Sequence, residues 1–181
     1  MIFNRTSLQD AWLIELERRE DKRGSFARTM CRQEFADHGL ADVFAQANTS
    51  FNHKSGTIRG MHFQHPPHAE AKLIRCVRGA IYDVIIDLRP RSPTFRKWEG
   101  FVLTQSNDLM LYVPEGFAHG YQTLEDASEV TYLASAPYTP GVESGVRYDD
   151  PTFRIAWKLP VSCISDKDAG WPDYRLVAET V

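Results

Sequence analysis

A chain of 181 residues with 43% hydrophobic and 25% charged side chains has ordinary globular composition and suits one domain, residues 1–181, large enough to bury a core. Its formal net charge of -3 gives no basic footprint for nucleic acid, and no apolar stretch is long enough to span a bilayer. Cys31, Cys76 and Cys163 are odd in number and lack CxxC spacing, which argues against a disulfide framework and for reduced thiols in the cytoplasm.

The first segment, MIFNRTSLQDAWLIELERRED, has no sustained apolar run of the signal-peptide kind. Arg23, Arg28 and Arg32 follow, and Arg75 and Arg78 form a second basic group; either suits a solvated face or a small anion such as a diphosphate. RQEFADHG predicts a helix that Gly39 is placed to stop. Short β-rich runs then recur between turn residues: VFAQANTSF, KLIRCV, AIYDVIIDL, WEGFVL, LMLYV, FAHGYQTL and EVTYLA. Their close spacing predicts an all-β sandwich or barrel, not alternating β-α units. A second short helix is expected near residues 165–170.

Period-two geometry groups the side chains. Gln46, Asn48 and Ser50 share one face of their strand, which is either the lining of a polar cavity or a solvated exterior. Lys72 shares a face with Ile74 and Cys76, an unusual row for an ammonium unless it snorkels at the strand end. In GTIRGMHFQ, residues 56–64, a regular strand would send Arg59 and His62 to opposite faces. Gly60 lies between them, where a β-bulge would aim both at one cavity.

His62 has three readings: base, metal ligand or packed core histidine. PEGFAHG, residues 114–120, carries the PxGxxH pattern of metal-binding cupins, but the HxH pair that should precede it reads His62-Phe63-Gln64. His65 and His68 lie in a proline-rich HPPH stretch that does not align ligands on a strand. With His62 and His119 alone a first-row metal lacks ligands, so no metal is expected. Acid-base chemistry fits better. His62 is the natural base near neutral pH, and Asp168 could orient it, or simply belong to a capping box with Ser165. Tyr132 could donate a proton or be an ordinary strand aromatic, and Lys72 could stabilise an oxyanion.

The stretches DKRGSF, GTIRGMHFQ, AKLIRCVRGAIYDVIIDLRPRSPTF, LYVPEGFAHGYQTL, GVRYDDPTF and ISDKDAGWP together resemble the dTDP-4-dehydrorhamnose 3,5-epimerase family. The match runs in order from about residue 20 to residue 172. The resemblance implies a cupin-type jelly-roll barrel, no metal or redox cofactor, and a homodimer that exchanges N-terminal strands. It implies His62 as base with Asp168 as partner, Lys72 near the ketone oxygen, and Tyr132 as acid on the opposite side of the sugar ring. It also implies substrate contacts from Arg59, His119, Gln46 and Asn48, and nucleotide-side contacts from Arg23 and the position of Arg28. Tyr138 matches the base-stacking tyrosine, and Glu143 and Lys167 match further binding positions. The implied reaction is epimerisation of a nucleotide-linked 4-keto-6-deoxy hexose at C3, C5 or both. The substrate would be dTDP-4-dehydro-6-deoxy-D-glucose and the product dTDP-4-dehydro-L-rhamnose.

Three departures gather around ligand recognition. Arg28 stands where the family carries glutamate, TYLASAPYTP departs from LYKxxDYYxP, and EAKL replaces the commoner QGKL. The nucleotide and the number of inverted centres therefore stay open. A single-centre epimerase, a metal-dependent cupin isomerase or dioxygenase, and a non-catalytic sugar-binding cupin are the alternatives.

Overall fold

The computed structural model describes residues 1–175; residues 176–181 of the expected unit lie outside them. Along the chain come β1 (Ile2–Arg5), β2 (Trp12–Glu15), β3 (Arg19–Asp21), β4 (Gly24–Phe26) and α1 (Arg32–Asp37). Then follow β5 (Gln46–Asn52), β6 (Ile58–Gln64), β7 (Lys72–Arg78), β8 (Ala80–Asp87) and β9 (Trp98–Thr104). The last elements are β10 (Leu109–Val113), β11 (Phe117–Thr123), β12 (Ser128–Ala134), β13 (Glu143–Gly145) and α2 (Asp166–Ala169). Each expected β-rich run contains a strand, and both expected helices form. No described helix is long and apolar enough to cross a membrane.

The strands make an antiparallel six-stranded sheet, β1-β2-β10-β7-β12-β5, and an antiparallel five-stranded sheet, β13-β6-β11-β8-β9. Alternation decides what lies between them. Ile74, Cys76, Leu111 and Val130 from the first sheet pack against Ile81, Ile85, Leu103 and Phe117 from the second. This is the expected jelly-roll barrel. Strand β8 is buried along its whole length, because its other face is also covered: Tyr82, Val84 and Ile86 pack under Phe153 and Trp157. The outer face of the six-stranded sheet is covered near one end by Phe35 of α1 and Leu40, while Ala47, Thr49 and Phe51 of β5 stay exposed.

One end of the barrel is tied by polar groups. Tyr121 on β11 donates to Ser50 Oγ at 2.9 Å, and Asn52 Nδ2 donates to the Tyr121 hydroxyl at 3.2 Å. Arg59 Nε then donates to Asn52 Oδ1 at 2.7 Å, so β6, β11 and β5 meet at one network. The Gln46–Asn48–Ser50 row therefore faces inward.

The irregularity at Gly60 positions the interior. His62 pairs with His119 but Arg59 pairs with Tyr121, so three steps on β6 match two on β11. The extra residue is a bulge, and it turns both Arg59 and His62 inward. Gly60 has φ +109°, and a Cβ there would meet Gly120 Cα at 2.6 Å and the His119 carbonyl oxygen at 2.7 Å. Only glycine fits that backbone and that approach. Gly60→Ala is expected to destabilise the fold by about 2 kcal/mol or more, read as a lowered midpoint in thermal or urea denaturation. An unchanged midpoint would show that the bulge tolerates a side chain.

Candidate active site

His62 and Asp168 are far apart in sequence and touching in the fold. His62 Nε2 lies 2.6 Å from Asp168 Oδ1, and Asp168 Oδ2 accepts the Gly60 N–H at 3.0 Å. The capping of α2 is carried by Ser165, whose hydroxyl accepts the Asp168 backbone N–H at 3.1 Å. The Asp168 carboxylate is thus left for His62. Burial opposes its ionisation, but the bonds from His62 and Gly60 outweigh burial and hold the carboxyl below the usual carboxylate range. An ionised carboxylate can only accept, so Nε2 carries a proton, and in the neutral ring Nδ1 is the nitrogen with a lone pair to offer. That geometry suits a base.

A second histidine–carboxylate pair lies next to the first. His119, in register with His62, has Nε2 at 2.8 Å from Asp83 Oδ1. Asp83 is fully buried, and its Oδ2 has no partner among the described residues. Sequence reasoning missed Asp83. Its signal was a lone carboxylate inside the apolar run AIYDVII, on the inward face shared with Ile81 and Ile85.

The six-stranded sheet supplies the opposing side chains. Tyr132 packs against the interior cluster and pairs in register with Asn48 on β5 and Ile74 on β7. Burial first, and then the Glu70 carboxylate, push the Tyr132 phenol above its ordinary range, so it holds its proton at neutral pH. Lys72 does not snorkel: its ammonium lies 3.0 Å from Glu70 Oε1, with the side chains only 12% and 11% exposed.

At the mouth, Gln46 Oε1 accepts the Tyr138 backbone N–H at 2.6 Å, and the Tyr138 ring is 52% exposed. Glu143 on β13 has Oε1 at 3.7 Å from His62 Nδ1, and its other oxygen pairs with Lys167 on α2. That pairing raises the Lys167 ammonium above its ordinary range. Eleven of the thirteen residues singled out from the sequence (His62, Asp168, Tyr132, Lys72, Gln46, Asn48, Arg59, His119, Tyr138, Glu143 and Lys167) therefore belong to the barrel interior or its rim. Arg23 and Arg28 do not join them within one chain. Arg23 sits at the turn of the exposed β3–β4 hairpin and pairs with its own Asp21, while Arg28 pairs with Glu34.

Gln64, which stands at the second histidine position of a metal site, is 3% exposed and held entirely by protein groups. Its amide nitrogen donates to Glu70, to the His68 carbonyl and to the Pro137 carbonyl, and its oxygen accepts the Thr139 N–H. Among the described residues, no group of three or more His, Cys, Asp or Glu side chains is arranged to hold a metal ion.

The depressed Asp168 carboxyl has a consequence for stability. A carboxyl whose folded value lies below its unfolded value of about 3.9 contributes stability that is fully present above that value and is lost as pH falls through the folded one. Thermal midpoints of the wild type should therefore drop below about pH 4. Asp168→Asn should start from a lower midpoint at pH 7 and show a shallower drop. Equal slopes for the two proteins would mean that Asp168 titrates normally.

Known proteins match this architecture along nearly the whole chain. The family model described as dTDP-4-dehydrorhamnose 3,5-epimerase matches residues 5–175. The dTDP-4-dehydrorhamnose 3,5-epimerase of Sinorhizobium fredii is 40% identical over 174 residues, 95% of this chain and 89% of that protein. The crystal structure of the Bacillus anthracis enzyme of the same name, with TDP and PPi bound, superimposes with a TM-score of 0.92 at 40% identity. It covers 96% of this chain and 99% of that one. The Legionella pneumophila 3,5-epimerase in complex with dTDP-4-keto-L-rhamnose gives a TM-score of 0.87 at 30% identity, covering 96% and 98% of the two chains. With the family model spanning the jelly roll and these relatives aligned almost end to end, the chain belongs to the dTDP-4-dehydrorhamnose 3,5-epimerase family.

Proposed function

We propose that the protein inverts C3 and C5 of dTDP-4-dehydro-6-deoxy-D-glucose, giving dTDP-4-dehydro-L-rhamnose, with no metal or redox cofactor. The observation that carries this reading is the His62–Asp168 pair, 2.6 Å apart on one wall of a cavity whose other wall presents Tyr132 and Lys72. The family's named relatives supply the substrate class, and one solved relative holds dTDP-4-keto-L-rhamnose itself.

The C4 ketone makes the hydrogens on both neighbouring carbons acidic. His62 Nδ1 takes the proton from one face, the C–H electron pair moves into the ring, and negative charge develops on the C4 oxygen. Lys72 stabilises that enolate by hydrogen bonding, a contact of the kind whose loss costs about a hundredfold to a thousandfold in rate. Tyr132, a protonated phenol on the opposite sheet, returns a proton to the other face of the carbon. Solvent then takes the proton from His62 and restores the one on Tyr132, so the net change is inversion. Arg59 and His119 hold the sugar, Gln46 and Asn48 line its path, and Tyr138 stacks on the base, with Glu143 and Lys167 at the same rim.

The active form we propose is a homodimer. Its support is the exposure of Phe26 at 71% on the β3–β4 hairpin and of the outer face of β5, beside a groove of about 320 Å³ lined by Ala47, Thr49, Leu73, Met110 and Leu133. Arg23 and Arg28 would then meet the nucleotide bound by the second copy. Arg28, a cation at that position, favours the diphosphate side of the ligand.

Solvent deuterium separates the roles. His62→Ala should lower both deuterium entry and epimerisation by about a hundredfold to ten-thousandfold while the protein stays folded. Tyr132→Phe should leave deuterium entering faster than inverted product accumulates, because His62 can still remove and return a proton on its own face. Wild-type exchange in folded His62→Ala, or undiminished inversion in Tyr132→Phe, would overturn the corresponding assignment. Nuclear magnetic resonance of the sugar protons at C3 and C5 reads both signals and counts the inverted centres.

A further inference from the structure

Lys72 begins β7, and the residue two positions earlier turns back onto it. Glu70 Oε1 lies 3.0 Å from the Lys72 ammonium, and both side chains are nearly buried. The second carboxylate oxygen, Oε2, accepts from Gln64 Nε2 at 3.0 Å. Gln64 in turn donates to the His68 carbonyl at 3.1 Å and the Pro137 carbonyl at 3.3 Å, and accepts the Thr139 N–H at 2.8 Å. One buried amide thus joins the end of β6, the approach to β7 and the segment that carries Tyr138. Apart from Lys72 and the Glu70 charge that helps keep Tyr132 protonated, these groups have no part in the proton transfers described above.

We propose that Glu70, held in place by Gln64, is the positioning residue for Lys72, fixing the ammonium where the C4 oxygen of the substrate gains charge. The inference rests on the enolate role given to Lys72 under Proposed function. A lysine stem has four methylenes and an ammonium that binds water strongly, so an unpartnered Lys72 would sample many positions or turn outward. Burying an ammonium alone is costly, and a carboxylate at hydrogen-bond distance offsets that cost. The ammonium has three donors, and its ion pair with Glu70 at 3.0 Å leaves donors for the cavity. The amide bond from Gln64 fixes Glu70 in turn, so the geometry is set by main-chain carbonyls at His68 and Pro137. Gln64 is then a structural anchor in the place where a metal cupin would carry a ligand.

The test uses the full-length protein and the nucleotide-linked 4-keto sugar, with four variants. Lys72→Ala should lose about a hundredfold to a thousandfold in kcat. Glu70→Gln keeps the shape and removes the charge; it should lose about tenfold to a hundredfold in kcat with KM close to wild type, and melt lower because the buried ammonium loses its counter-ion, a loss the double variant relieves. Deuterium entry and inversion should fall together, because enolate formation is the step impaired. Glu70→Asp, which keeps the charge with a shorter reach, should lie between Glu70→Gln and wild type. The double variant Lys72→Ala/Glu70→Gln should be no slower than Lys72→Ala, since Glu70 acts through Lys72.

Losses that multiply in the double variant would overturn the inference and make Glu70 a group acting on substrate directly. A Glu70→Gln protein that loses substrate binding as much as turnover would overturn it too, as the mark of a merely structural role. Slow Lys72→Ala with wild-type Glu70→Gln removes the positioning role alone. Wild-type turnover in Lys72→Ala removes the enolate reading and the positioning role together.

Discussion

The bulge at Gly60 is the constraint on which the rest of this site depends. A regular β6 would put Arg59 on the exterior whenever His62 faced the cavity, because successive side chains alternate. The extra residue, accommodated by the close approach of Gly60 and Gly120, brings both inward. It also leaves the Gly60 N–H free of the ladder to β11 and directs it at Asp168. One local departure from strand geometry thus sets the direction of His62, presents an arginine and helps ionise the carboxylate paired with His62.

The interior is polar but compensated. Each histidine has its own carboxylate, Asp168 for His62 and Asp83 for His119, and Lys72 has Glu70. Pairing is what allows this many charged groups to share a water-poor cavity. The sheet wall opposite His62 is different in kind. Tyr132 is kept neutral by burial and by nearby negative charge, so a protonated phenol lies on the wall facing the His62 imidazole. The Tyr132 phenol is held above its ordinary range and the Asp168 carboxyl below its own, the kind of separation that divides acid from base roles.

The exterior carries its own information. Strand β8 is buried on both faces because the C-terminal segment, with Phe153 and Trp157, lies over the five-stranded sheet. The six-stranded sheet is left open along β5, where Ala47, Thr49 and Phe51 face outward. The proposed second copy would use that open face, and Phe26 on the β3–β4 hairpin is exposed as well.

Much of this was written in the sequence. Turn residues between short β-rich runs pointed to an all-β sandwich or barrel, Gly39 ended α1, and alternation placed Gln46, Asn48 and Ser50 on one face and Lys72 with Ile74 and Cys76. The family motifs named the chemistry because whole strings of residues agreed in order and spacing. What the sequence could not decide were contacts across long stretches of chain. Whether Asp168 capped a helix or oriented His62 depended on α2 docking against β6, and Ser165 took the first role so that Asp168 could take the second. Whether Lys72 snorkelled depended on Glu70 folding back, and Gln64 became an anchor only once the segment carrying Tyr138 lay against it. Local alternation fixes which side of a strand a residue occupies. Only the packing of one sheet and its loops against the other decides which charge it meets there, and it is that meeting that makes a base, a counter-ion or a structural anchor.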